Sequence, residues 1–138
     1  MKYIRLFLLL IIFLNISEAS SKKIVVSNMP LAGIVHMVVG KSMEVSPIEI
    51  ASGCPHHYHA KPSDKAKVES SDMAIYIDDQ FEEFFASLLK GYKGDMLRIS
   101  SFNTIIFKEG VNRTNWHFWL DLDNVREAVI ALSSHIIK

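Results

Sequence analysis

Residues 23–40 read Lys-Ile-Val-Val-Ser-Asn-Met-Pro-Leu-Ala-Gly-Ile-Val-His-Met-Val-Val-Gly. Lys23 to Asn28 is a short β-branched run, a composition that suits a pleated and buried strand. Pro30 then opens an apolar stretch that stops at Gly40. Proline is tolerated in the first turn of a helix and glycine commonly closes one. The reading is a strand followed directly by a helix.

The same alternation continues outward from this unit. Met43 to Ile50 alternates imperfectly around Pro47, which cannot donate to a ladder, so the strand there is expected to lie at a sheet edge or to be broken at that residue. Pro62-Ser63-Asp64 is a helix start, with Ser63 available as the cap and Asp64 set against the positive end of the dipole; the helix ends near Ser70. Met73 to Ile77 reads as a buried strand, and Asp79 to Lys90 places Phe81, Phe84, Phe85, Leu88 and Leu89 at helical spacing before Gly91. Leu97 to Ser100 makes a further strand and Ser101 to Thr114 an irregular connection. From Asp121 onward Val125, Ala128, Val129, Leu132 and Ile136 form a helical stripe. Strands alternating with helices predict an α/β fold, a single lobe with a mainly parallel sheet flanked by helices on both faces and right-handed crossovers.

The N-terminus is of a different character. Lys2 and Arg5 precede nine consecutive apolar residues, Leu6 to Leu14, and Ser17-Glu18-Ala19 puts small residues at minus three and minus one. Residues 1–19 are expected to be a secretory signal peptide, since nine apolar residues fall short of the roughly 20 that cross a membrane. The expected mature domain is 20–138, incomplete at its C-terminus, with thirteen basic and fourteen acidic residues. That near balance gives no basic face for nucleic acid. Cys54 is the single cysteine, so no disulfide within the chain can staple the fold.

Chemistry concentrates in Gly53 to Asp64, Gly-Cys-Pro-His-His-Tyr-His-Ala-Lys-Pro-Ser-Asp, which holds three of the six histidines in a loop between a strand and a helix. Neutral imidazole suits zinc and other borderline metals, so His56, His57 and His59 are candidate ligands. In an extended stretch His57 and His59 point one way and Cys54 and His56 the other, and the spacing matches no standard zinc finger. A second source of ligands is required. Asn-Trp-His-Phe-Trp-Leu-Asp, residues 115–121, offers His117 between two tryptophans, where the ring is open to burial or to bonding a backbone carbonyl. His36 and His135 lie in apolar helical patterns and are expected elsewhere.

In this order, and behind a signal peptide and an opening strand, these motifs resemble the N-terminal lobe of the zinc and manganese ABC-transporter solute-binding proteins, above all the high-affinity zinc-uptake binding proteins. The resemblance covers nearly all of the mature chain. It implies that the chain is the N-terminal half of a two-lobed, periplasmic, metal-binding protein with no enzymatic role. His56 and His117 then match the metal ligands of the two motifs, with His57, His59 and Cys54 accessory and Asp64, Trp119 and Asp121 shaping the site. Zinc or manganese is the implied ion, and a membrane permease the implied partner. By the resemblance the remaining ligands belong to a C-terminal lobe, so the chain is expected to be a truncated product retaining half a site or one part of a split protein with a separately encoded C-terminal lobe, the set being completed by water, His57, His59, Cys54 or another chain; the alternative is a non-functional truncated remnant. Two histidines leave zinc short of its tetrahedral set, so weak binding is expected. A small secreted metallohydrolase, with zinc on His57, His59 and His117 and Asp64 or Glu49 as base, is the alternative of another class.

Overall fold

The computed structural model describes residues 21–48, 58–110 and 113–137. Four strands, β1 (Lys23–Val26), β2 (Glu44–Pro47), β3 (Met73–Tyr76) and β4 (Asp95–Arg98), form one sheet in the order β2-β1-β3-β4, and every pairing is parallel. Three helices connect them in turn: α1 (Met29–Val39), α2 (Pro62–Glu69) and α3 (Glu83–Leu88). An antiparallel hairpin, β5 (Lys108–Gly110) and β6 (Arg113–Asn115), then leads into the long helix α4 (Leu122–Ile136). This is the α/β lobe expected from the sequence. Among the described residues no helix is long and apolar enough to cross a membrane.

Side chains alternate across a strand, and the core divides accordingly. Ile24, Val26 and Ile75 face α1 and α4, burying Leu31, Val35, Ala128 and Leu132 against them. Val25, Ala74 and Tyr76 face the other way, onto Val68 of α2 and Phe84, Phe85 and Leu88 of α3. Asn28 caps α1 by accepting from Leu31 N at 3.0 Å, and Gly40 ends it at φ 56°, a left-handed conformation that a Cβ disfavours. Pro47, the last residue of the edge strand β2, pairs with Val26 of β1.

Three local expectations are corrected. Ser63 does not cap α2: the cap position is Lys61, whose backbone N–H donates to Asp64 Oδ2 at 2.8 Å, so the acidic side chain does the work assigned to serine. The helix expected over 79–90 starts at Glu83, because Asp78 accepts from Gln80 N and Ser100 Oγ and holds the preceding residues in a turn. The connection over 101–114 contains β5 and the start of β6, whose polar, three-residue strands carry no apolar alternation to betray them. Residues 1–19, Glu49, Cys54, His56 and His57 lie outside the described residues.

Candidate metal centre

The carboxyl ends of the strands, where α/β folds place their ligands, are tied together by one buried carboxylate. Glu82 is 0% exposed. Its Oε1 accepts from Asn28 Nδ2 at 2.6 Å and its Oε2 from Ile77 N at 2.8 Å, joining the residues that follow β1 to those that follow β3. Burial pushes its carboxyl up to about 7, against the bonds from Ser27, Ile77 and Asn28, which favour the charged form.

Phe81, one residue before that anchor, forms the floor under His117. The two rings meet edge-on, with centroids 5.5 Å apart at 74°, and Trp119 closes a second side at 5.0 Å and 61°. The His117 ring is exposed. It is therefore neither desolvated by its tryptophans nor bonded to a backbone carbonyl; its Nδ1 lies 2.9 Å from Asn115 Oδ1, which also accepts from His117 N at 3.1 Å. A pocket of about 130 Å³ opens beside the ring, lined by Ile106, Lys108, Asn115, Leu120 and Asp121 among others.

Asp121 joins the start of α4 to Lys108 beside this pocket. Its Oδ1 caps α4 by accepting from Asp123 N at 3.1 Å and Asn124 N at 3.4 Å, and its Oδ2 takes Lys108 Nζ at 2.7 Å. The bond from Lys108 holds its carboxyl below the usual carboxylate range. Asn124 locks the connection from β4 onto α4, accepting from Ile106 N and donating to Ile106 O, both at 2.8 Å.

The first motif is represented by its end. Tyr58 packs edge-on against Phe84 at 5.0 Å and donates to Asp64 Oδ2 at 2.6 Å. Asp64 is buried and accepts from both Tyr58 and Lys61, a helix-capping role that leaves it poorly placed as a base. His59 is exposed. His36 is exposed on α1, and His135 bonds Ala131 O in the last turn of α4, about 20 Å along the helix from the His117 end. Among the described residues no three histidine, cysteine or acidic side chains converge as a metal cluster.

A family model described as zinc-uptake complex component A, periplasmic (ZnuA), matches residues 24–138. The chain belongs to the ZnuA family. This ZnuA-family chain is 34% identical over 131 residues to the protein RP014 of Rickettsia prowazekii, covering 95% of the chain and 42% of that protein. It is 27% identical to SsaB of Streptococcus sanguinis, a metal ABC transporter substrate-binding lipoprotein, over 78% of the chain and 38% of the relative. Its fold superposes on a zinc-bound variant of AdcAII from Streptococcus pneumoniae with a TM-score of 0.69 at 25% identity, covering 86% of the chain and 48% of that structure. It thus spans about two fifths of the length of the curated relatives it matches.

Sequence reasoning singled out His117 and the motif around it as candidates but missed two residues that organise this end of the ZnuA-family lobe. Glu82 lies on the polar side of the helical pattern expected over 79–90 and gives no signal of burial. Asn115 is exposed, and its signal was of another kind: an asparagine two residues before a backbone N–H is a standard local acceptor.

Proposed function

We propose that this chain is the metal-binding lobe of an exported solute-binding component of an ABC uptake transporter, and that His56 and His117 are its metal ligands. Residues 1–19 are its signal peptide and 20–138 the lobe that works in the periplasm. Zinc is the preferred ion, with manganese a competitor, and His57, His59 and Cys54 are accessory donors.

The presentation of His117 carries this reading. An exposed imidazole at the carboxyl end of a parallel sheet, braced by Phe81 and Trp119 and with one nitrogen engaged by Asn115, has the form in which a histidine takes a metal. The names of the relatives agree: SsaB is a metal transporter's binding lipoprotein and the AdcAII variant is zinc-bound.

Two histidines do not complete a zinc site. A partner lobe supplies the remaining ligands, and the surface beside the pocket suits one: Ile106, Leu120 and Leu122 are 70%, 77% and 85% exposed, an apolar patch next to a polar site. The membrane permease is the partner that receives the ion. Equilibrium dialysis of the chain against zinc and against manganese, read by elemental mass spectrometry, tests the assignment. Zinc is retained above manganese and lost from His117→Ala; retention unchanged in a His56→Ala/His117→Ala double variant would overturn it.

A further inference from the structure

We propose that Asn115 is a positioning residue that selects the tautomer of His117 and so makes Nε2 the nitrogen available to a metal. This deepens the reading of His117 as a ligand and rests on it. The argument turns on one oxygen. Asn115 Oδ1 lies 3.1 Å from the backbone nitrogen of His117, and a backbone N–H can only donate, so the atom facing it is the carboxamide oxygen and not its NH₂. The same oxygen stands 2.9 Å from Nδ1 of the ring. A carbonyl oxygen only accepts, which requires Nδ1 to carry the hydrogen. In a neutral imidazole the lone pair is then on Nε2.

This tautomer is not the one that imidazole adopts by default, because neutral histidine in water favours hydrogen on Nε2. Asn115 reverses that preference, and Phe81 and Trp119 hold the ring plane while it does so. The placement of Asn115 is built into the fold. It is the last residue of β6 and pairs with Lys108 of β5, while Lys108 reaches the Asp121 cap of α4. The hairpin missed in the sequence thus serves to deliver an acceptor to the ring. Metal-ligating histidines commonly give their other N–H to such an acceptor, and losing it typically costs 10–100-fold in affinity.

Long-range ¹H–¹⁵N correlation of the imidazole nitrogens in the metal-free chain, at about pH 8 where histidine is neutral, reads the tautomer directly. The His117 signals are assigned by their loss in His117→Gln. The expected result is a protonated Nδ1 and an unprotonated Nε2 in the wild type and in Asn115→Asp, which keeps the acceptor. Asn115→Ala shifts the ring toward the Nε2–H form and weakens zinc binding by about tenfold, and Asn115→Asp restores it. A wild-type His117 protonated on Nε2 overturns the proposal without recourse to any variant, as does an Asn115→Ala protein whose tautomer is unchanged. The stated tautomer together with zinc binding indifferent to His117→Ala would instead overturn the assignment of His117 as ligand.

Discussion

Glu82 Oε1 lies 2.6 Å from Asn28 Nδ2 across 54 residues of sequence, and this bond clamps the turn after β1 to the turn after β3. The clamp seats Phe81, the ring on which His117 lies. Its energetics depend on pH. Glu82 carries its proton up to about 7 in the folded protein, against an ordinary value of 4.5. Between those values the native state binds more protons than the unfolded one, so stability falls as pH rises through that window. A difference of this size corresponds to roughly 3 kcal/mol. Urea denaturation of the wild type is expected to show stability highest below about pH 4.5 from this group and decreasing toward pH 7. Glu82→Gln flattens that part of the profile; an equal slope in both proteins would show that Glu82 is not its source.

Asn124 holds the connection from β4 by two bonds to the backbone of Ile106. Asn124→Ala removes both while leaving the packing of α4 in place. A loss of about 1–2 kcal/mol is expected, the scale of hydrogen bonds broken at a partly buried backbone. Hydrogen exchange should rise at the Ile106 amide and in the neighbouring hairpin before it rises in β1 or β3. An unchanged Ile106 amide would contradict the role assigned to Asn124.

The elements that the sequence announced are those governed by local chemistry. Ile24-Val25-Val26 alternates between two cores, Gly40 ends α1 in a left-handed turn, and the Val125–Ile136 stripe packs α4. What stayed hidden was non-local. The burial of Glu82 is decided by Asn28, far away in the chain. The hairpin rests on polar residues of no periodicity, and its anchors, Lys108 to Asp121 and Asn124 to Ile106, join separate segments. His117 was legible as a candidate but not its exposure, since flanking tryptophans can bury a ring or merely brace it. Here Trp116 turns to Phe107 and Trp119 to Phe81, leaving the imidazole between them open.

Export leaves a covalent record. Under the proposed reading of residues 1–19, with Lys2 and Arg5, the apolar run to Leu14 and the small residues Ser17 and Ala19, cleavage is expected after Ala19. Protein recovered from the cell envelope should begin at Ser20 by intact-mass and N-terminal peptide analysis. An envelope form that retains Met1 would contradict cleavage.

The proposed metal binding through His56 and His117 is most directly tested by titration calorimetry of zinc into the chain, into His56→Ala and His117→Ala, and into a His57→Ala/His59→Ala control. The ligand count predicts weak binding, because two imidazoles leave the remaining positions of a tetrahedral ion to water or to accessory donors. Micromolar zinc should accordingly raise the melting temperature little. The expected result is weak binding in the wild type, nearly retained in the control and abolished by either of the first two substitutions. Nanomolar binding by the monomer that survives the loss of both His56 and His117 would contradict it and transfer the site to the remaining histidines and Cys54.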